Sequence, residues 1–237
     1  MSEGARGARG RTQFHCSRLR GNLSQQRRHK SYDKSIALCY TTCMGRNEDT
    51  LRNVAAEHEG LVTAAEAEEA GVPRALLVQL SHRGRLDRIA QGLYRFPNWP
   101  TTRLQQYHEA VLWPRAHRDL EYSLISHDSA LELYILTQLN PGVIHVTLPS
   151  KTRISREPPT WLRLHFAVVA ESDQAWEQGI PIVSVPRAIE DVAPTHGADV
   201  IHRAVSEARE RRLLREDELQ RLVAKFGNDI LEQYIAS

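Results

Sequence analysis

Apolar positions along this chain fall into runs with helical spacing, runs that alternate, and polar gaps between them. Leu51, Val54 and Ala55 recur at helical intervals, predicting a helix from Asp49 to His58. Thr63-Ala-Ala-Glu66 has the form of a capping box, in which the Thr hydroxyl and Glu carboxylate satisfy orphan amides at a helix start. The Ala-rich stretch that follows favours helix, and Gly71 suits a left-handed cap that ends it. A second helix is predicted from Pro73 to about His82, with Pro73 in the first turn, where its missing N–H costs nothing. Leu77 and Leu80 share one face of it, with Val72 just before. Ala75, Gln79 and His82 occupy the other face, and Arg74 lies at the N-terminal end. Arg83-Gly84-Arg85 then reads as a turn. The runs LDRI and LYRF, on either side of Ala90-Gln91-Gly92, read as a hairpin. Two short helices and a hairpin make a helix-turn-helix with a two-stranded wing.

Pro97-Asn98-Trp99-Pro100 closes this unit and starts a connection. Beyond it a helix is predicted from Thr102 to Trp113, with Tyr107, Ala110 and Val111 inward, and another from Ser123 to Leu139, with Leu124, Leu131 and Tyr134 among its apolar positions. Residues 143–149 and 161–169 read as strands from their β-branched and aromatic content, and Ile180 to Ser184 as a short third. Val185-Pro186 opens a helix that runs through Val192, and two more are expected at about Ala198–Arg212 and Glu216–Ser237. The predicted class is α+β: a winged helix-turn-helix at residues 48–98, then a mixed α+β domain at 99–237, preceded by a basic tail at 1–47.

Charge sharpens this division. The net charge of +2 conceals nine Lys/Arg against two Asp/Glu in residues 1–43, a local +7, so the remainder is mildly acidic at −5. Residues 1–47 are rich in Gly, Arg, Ser and Gln and read as a disordered arm, and Met44 offers an alternative natural start. Cys16, Cys39 and Cys43 are odd in number and lack metal-type spacing, which argues against a zinc site or a disulfide framework and for a reducing cytoplasm. No apolar run approaches the roughly 18 residues of a membrane span.

Within the wing unit the balance reverses. Between Arg74 and Arg95 five arginines face a single acid, Asp87. Phosphate contacts supply most non-specific affinity for nucleic acid, so this cluster points to duplex DNA. A helix with an apolar back and a front of small, amide and basic groups suits the major groove. The candidate DNA-binding residues are Arg74, Ala75, Gln79, His82, Arg83, Arg85, Arg88, Gln91 and Arg95. Arg74, Gln79 and His82 would read base edges or anchor phosphates, while Arg85, Arg88 and Gln91 would bring the wing onto backbone or minor groove. A non-DNA protein-interaction module using the hairpin as a docking edge is the alternative from another class.

Other chemistry is thinly represented. Lys151, Arg153 and Arg156 form a basic loop that suits either a secondary nucleic-acid or partner contact or plain solvation. Ser126-His127-Asp128 holds the side chains of a hydrolase triad, but adjacent residues diverge, so Ser126 is expected to cap a helix with Asp128 favoured by its dipole. His145 and His165 lie on two predicted strands as possible neighbours, yet two imidazoles fall short of the three or four ligands a metal needs. The arginines from Arg209 to Arg215 suit a helix C-terminus. There is no P-loop, no dinucleotide-binding glycine pattern and no zincin motif, so no enzyme activity, cofactor or metal is expected.

The segment from Gly60 to Phe96 resembles the N-terminal domain of the AbiEi family, antitoxins of type IV toxin–antitoxin systems and related regulators. The resemblance rests on an ordered set of short motifs: Gly60-Leu-Val-Thr63, Ala70-Gly-Val72, the helix after it, Arg83-Gly-Arg-Leu86 and Gly92-Leu-Tyr94. Less specific likenesses continue through Ser126–Leu131, Ile144–Pro149 and Gly179–Asp191. Pro73 departs from the Ser that commonly caps the recognition helix, and Leu76 and Val78 are apolar where polar residues are usual. The resemblance implies a regulator that represses its own promoter at repeated half-sites and counteracts a nucleotidyltransferase toxin. A stand-alone regulator without a toxin is the nearer alternative.

Overall fold

A computed structural model describes residues 34–116, 120–137 and 142–226, with side chains from residue 45 onward. Expectations about residues 1–33, the three cysteine side chains and the last turns of the final helix fall outside that range. Helix α1 (Lys34–Ala56) begins well before Asp49, so the backbone is helical where the basic tail was expected to lack structure. Its later part buries Leu51 and Ala55 completely.

Strand β1 (Leu61–Thr63) and helix α2 (Ala64–Glu69) follow. The capping box forms as expected: Glu66 N–H donates to Thr63 Oγ1 at 3.2 Å, and Thr63 N–H donates to Glu66 Oε2 at 2.9 Å. Gly71, at φ +83°, turns the chain into α3 (Arg74–His82), with Pro73 in the N-cap position just outside the helix. The hairpin is β2 (Asp87–Ala90) and β3 (Leu93–Arg95), with a register irregularity between Arg88 and Ala90. The wing sheet has three strands in the order β1-β3-β2, all antiparallel. Sequence reasoning missed β1.

The alternation along β1 and β3 splits two cores. Val62 and Tyr94 are Cα partners and pack with Leu77, Leu80, Leu86 and Phe96 beneath the helix-turn-helix. Leu61 and Leu93 belong instead to the larger core, with Tyr107, Ala110 and Val111 of α4 (Gln105–Arg115). One face of the small sheet therefore supports α2 and α3, and the other is sealed by the second half of the chain. Each fully buried Leu there contributes about 1.5–3 kcal/mol.

The second half is built on a five-stranded mixed sheet, ordered β6-β5-β4-β8-β7. Its members are β4 (Leu124–Ile125), β5 (Ile144–Pro149), β6 (Leu162–Ala167), β7 (Gln174–Glu177) and β8 (Ile180–Val183). Leu124 and Ile125 were expected to be helical. They pair instead with β5 and β8, and the helix after them, α5 (His127–Leu133), is correspondingly short. A two-residue strand inside an apolar run with helical spacing cannot be told from helix by periodicity. Strand β7 was also not foreseen; it joins β8 through Gln178 and Gly179, both at positive φ. Helices α6 (Val185–Val192) and α7 (Ala198–Glu210) follow near their expected bounds, and α8 (Glu216–Phe226) starts where expected, its expected end lying outside the described residues. The predicted α+β class holds for both halves.

The wing tip is held from outside. Gly92 O accepts from Ala64 N–H at 2.8 Å, and a Cβ on Gly92 would stand 2.5 Å from Ala116 O. With φ at +76°, Gly92→Ala combines a left-handed penalty of about 1–2 kcal/mol with displacement of the backbone at the end of α4. A melting point at least about 4 °C lower is expected in differential scanning fluorimetry. Gly84→Ala, at φ +68° with nothing within 4 Å, should lose clearly less.

His108, on α4, is 4 % exposed, and its ring centroid lies 5.8 Å from that of His58, which pairs with Glu66. Burial, and then the His58 charge, pull its pKa from 6.5 down to about 4. The unfolded chain takes up this proton first. The neutral ring thus contributes its full stability above about pH 6.5 and loses it as pH falls toward 4. Urea midpoints should fall across that window, and His108→Gln should flatten part of the slope.

Candidate nucleic-acid interface

Helix α3 lies with Leu77 and Leu80 fully buried, while Arg74, Ala75, Val78, Gln79 and His82 form one contiguous exposed face. The burial follows from helical spacing: positions 77 and 80 face the core made by Val62, Val72 and Tyr94, so the opposite positions must face solvent. Val78, 42 % exposed, sits in the middle of the stripe and was not among the expected contact residues. Exposed aliphatic carbon between polar neighbours suits a thymine methyl.

The arginines divide by what they already hold. Arg74 Nε lies 2.9 Å from Glu68 Oε2, an exposed pair that water weakens and a phosphate could replace. Arg85 Nη2 donates to Glu48 Oε1 at 2.6 Å, and Arg52 approaches the same oxygen at 3.6 Å. Because the Glu48 side chain is only 10 % exposed, Arg85 ties the turn to α1 as well as bordering the exposed face. Arg83 and Arg88 are exposed, and Arg88 forms no ion pair among the described residues. Arg95 is Cα partner to both Leu61 and Asp87, and its guanidinium lies 3.7 Å from Asp87 Oδ2. Its register places it on the Leu93 face, toward α4 and Glu109, away from the helix-turn-helix. The Gln91 side chain is exposed, yet its carbonyl accepts from Arg156 Nη1 at 3.4 Å.

The basic loop resolves unevenly. Lys151 and Arg153 are exposed. Arg156 stacks its guanidinium 3.6 Å above the Trp113 ring, donates to Trp113 O, and reaches the Gln91 carbonyl. It is a clamp between the two halves, and burial lowers its pKa. Arg211 likewise donates to Tyr134 O and Ile135 O, and Arg215 pairs with Glu218 at 2.8 Å.

The remaining candidates converge on the larger sheet. Ser126 occupies the N-cap position without a side-chain capping bond, contrary to expectation. Its Oγ accepts from Thr147 Oγ1 at 2.8 Å and lies 3.0 Å from His127 Nδ1. Asp128 binds His196 Nε2 at 2.7 Å. His145 and His165 are neighbours, with Nδ1 and Nε2 3.1 Å apart. His127 joins them, stacked on His165 at a centroid distance of 3.7 Å, so the expectation of only two converging imidazoles is corrected. Burial, then the neighbouring imidazoles, lowers His127 to about 3; burial and His145 lower His165 to about 4.

Helices α2 and α3, backed by the three-stranded sheet, form a winged helix-turn-helix. Residues 49–97 match the model of the family described as "Transcriptional regulator, AbiEi antitoxin". The match runs from the later part of α1 through the wing and ends at Pro97. No curated protein matches the chain. Among the described residues, no helix is long and apolar enough to cross a membrane.

The two roles of the arginines separate in stability. Arg85→Ala leaves the largely buried Glu48 with the more distant Arg52 alone and should cost about 1–3 kcal/mol in urea denaturation. Arg88→Ala, at an exposed position, should stay within about 0.5 kcal/mol of the parent.

Proposed function

We propose that this protein is a DNA-binding autorepressor of the antitoxin type. The observation that carries this reading is the exposed face of α3, with small, aliphatic, amide and basic side chains side by side over a fully buried back. Helix α3 enters the major groove. Arg74, Gln79 and His82 read base edges or anchor phosphates, and Ala75 and Val78 meet thymine methyls. Arg83, Arg85 and Arg88 contact phosphate on the flank. Gln91 approaches the backbone from the wing tip. Arg95 faces α4 and has no part in this contact surface. The α+β domain fixes the winged unit's orientation on repeated half-sites in the protein's own promoter. Functional pairing with a nucleotidyltransferase toxin is proposed from the resemblance to antitoxins of type IV systems, and a regulator acting without a toxin would use the same surface.

Fluorescence anisotropy of the full chain on its own upstream DNA and on a scrambled duplex, across a salt series, tests the contacts. Gln79→Ala should narrow the preference for the upstream DNA by about 5–100-fold, the range of one good base contact. Arg88→Ala should weaken both duplexes alike and reduce the salt slope by about 1. Equal binding to both duplexes by the parent, unchanged in Gln79→Ala, would exclude sequence reading by α3.

A further inference from the structure

The strongest unassigned feature lies on the larger sheet, away from α3. Cα pairing of His145 with Arg163 and of Thr147 with His165 puts His145 and His165 on one face of adjacent parallel strands. Strand β4 delivers the chain to that face, and His127 follows at φ +53°. A non-glycine residue held in the left-handed region is a small strain that persists only where its surroundings fix it. Here it brings a third imidazole to the pair.

We propose that His127, His145 and His165 bind one divalent transition-metal ion of the Zn2+ class. Each offers one ring nitrogen, and the three lie within 4.8 Å of one another. Two nitrogens on one tetrahedral Zn2+ at 2.0–2.1 Å stand about 3.3 Å apart, and His145 Nδ1 and His165 Nε2 are already at 3.1 Å. The rings come from three separate elements, so a single ion would cross-link α5, β5 and β6.

An independent feature supports this assignment. Asp191, its side chain only 10 % exposed, accepts through Oδ1 from Arg187 Nε at 2.7 Å, while its buried Oδ2 has no hydrogen-bond partner among the described residues. That oxygen lies 3.9 Å from His127 Nδ1, and Ser126 Oγ lies 3.0 Å from the same nitrogen. Ligating imidazoles commonly direct their second nitrogen to a carboxylate or hydroxyl, which fixes the tautomer. With His127 Nδ1–H directed to Ser126 and Asp191, Nε2 is left for the ion. Asp128 is engaged with His196 and is not counted as a ligand.

Cysteines elsewhere in the chain can also bind zinc, so the test uses the full-length protein with Cys16, Cys39 and Cys43 changed to Ser. After chelator treatment, Zn2+ is titrated by calorimetry and Co2+ by its visible d–d absorption. One equivalent per chain is expected, with the stronger absorption of tetrahedral Co2+. His145→Gln and His165→Gln should each weaken Zn2+ binding by at least 100-fold, and Asp191→Asn by about 10–100-fold, as for loss of a supporting carboxylate. Circular dichroism checks that each variant folds. Should a His variant unfold, the parent Co2+ spectrum and Zn2+ protection of the histidines from diethyl pyrocarbonate decide the matter. No saturable binding, binding unchanged in both His variants, or an absence of Zn2+ protection would overturn the assignment.

Discussion

A strict two-residue alternation in a very small sheet governs the arrangement of this protein. Leu61 and Leu93 turn to one side, Val62 and Tyr94 to the other, and each side is the wall of a different core. A slip of one residue would exchange the two sets and spoil both cores together. Strands of three or four residues are too short to be stable alone, so this sheet exists because it is covered on both faces. The helix-turn-helix takes its footing from one face, and α4 takes its footing from the other.

That arrangement changes what the wing is. A free hairpin would leave the tip unbraced. Here Gly92 touches the main chain at Ala116, and Arg156 reaches the Gln91 carbonyl while lying on Trp113. Cations that the sequence placed in the wing cluster and in the basic loop therefore do different work. Arg85 pairs with Glu48 of α1, Arg95 is turned to α4 and Arg156 clamps the wing, while Arg83, Arg88, Lys151 and Arg153 remain exposed.

Local features were the legible ones. The capping box at Thr63 and Glu66 depends on residues three apart, and the faces of α3 depend on one helical period, so both can be read from the chain. The α+β class and most element bounds follow from the same rhythms. The failures are tertiary. Leu61 to Thr63 is too short to show an alternation, and its strand identity comes from pairing with β3. Leu124 has helical spacing with Leu131, yet it and Ile125 are claimed by β5 and β8. His127 looked like one member of an adjacent triplet. Only the route of the chain from β4 into α5, with a left-handed residue at the junction, carries it to His145 and His165.

The prolines at Pro97 and Pro100 suggest a place where the protein divides into two parts, and the family match ends at the first of them. The packing is continuous across that point: Leu61 and Leu93 of the β1-β3-β2 sheet lie in the same core as α4. A fragment ending at Pro97 would keep its helix-turn-helix but present Leu61 and Leu93 to water as an adhesive flank. The winged half and α4 share one core, and a cut at Pro97 would open it.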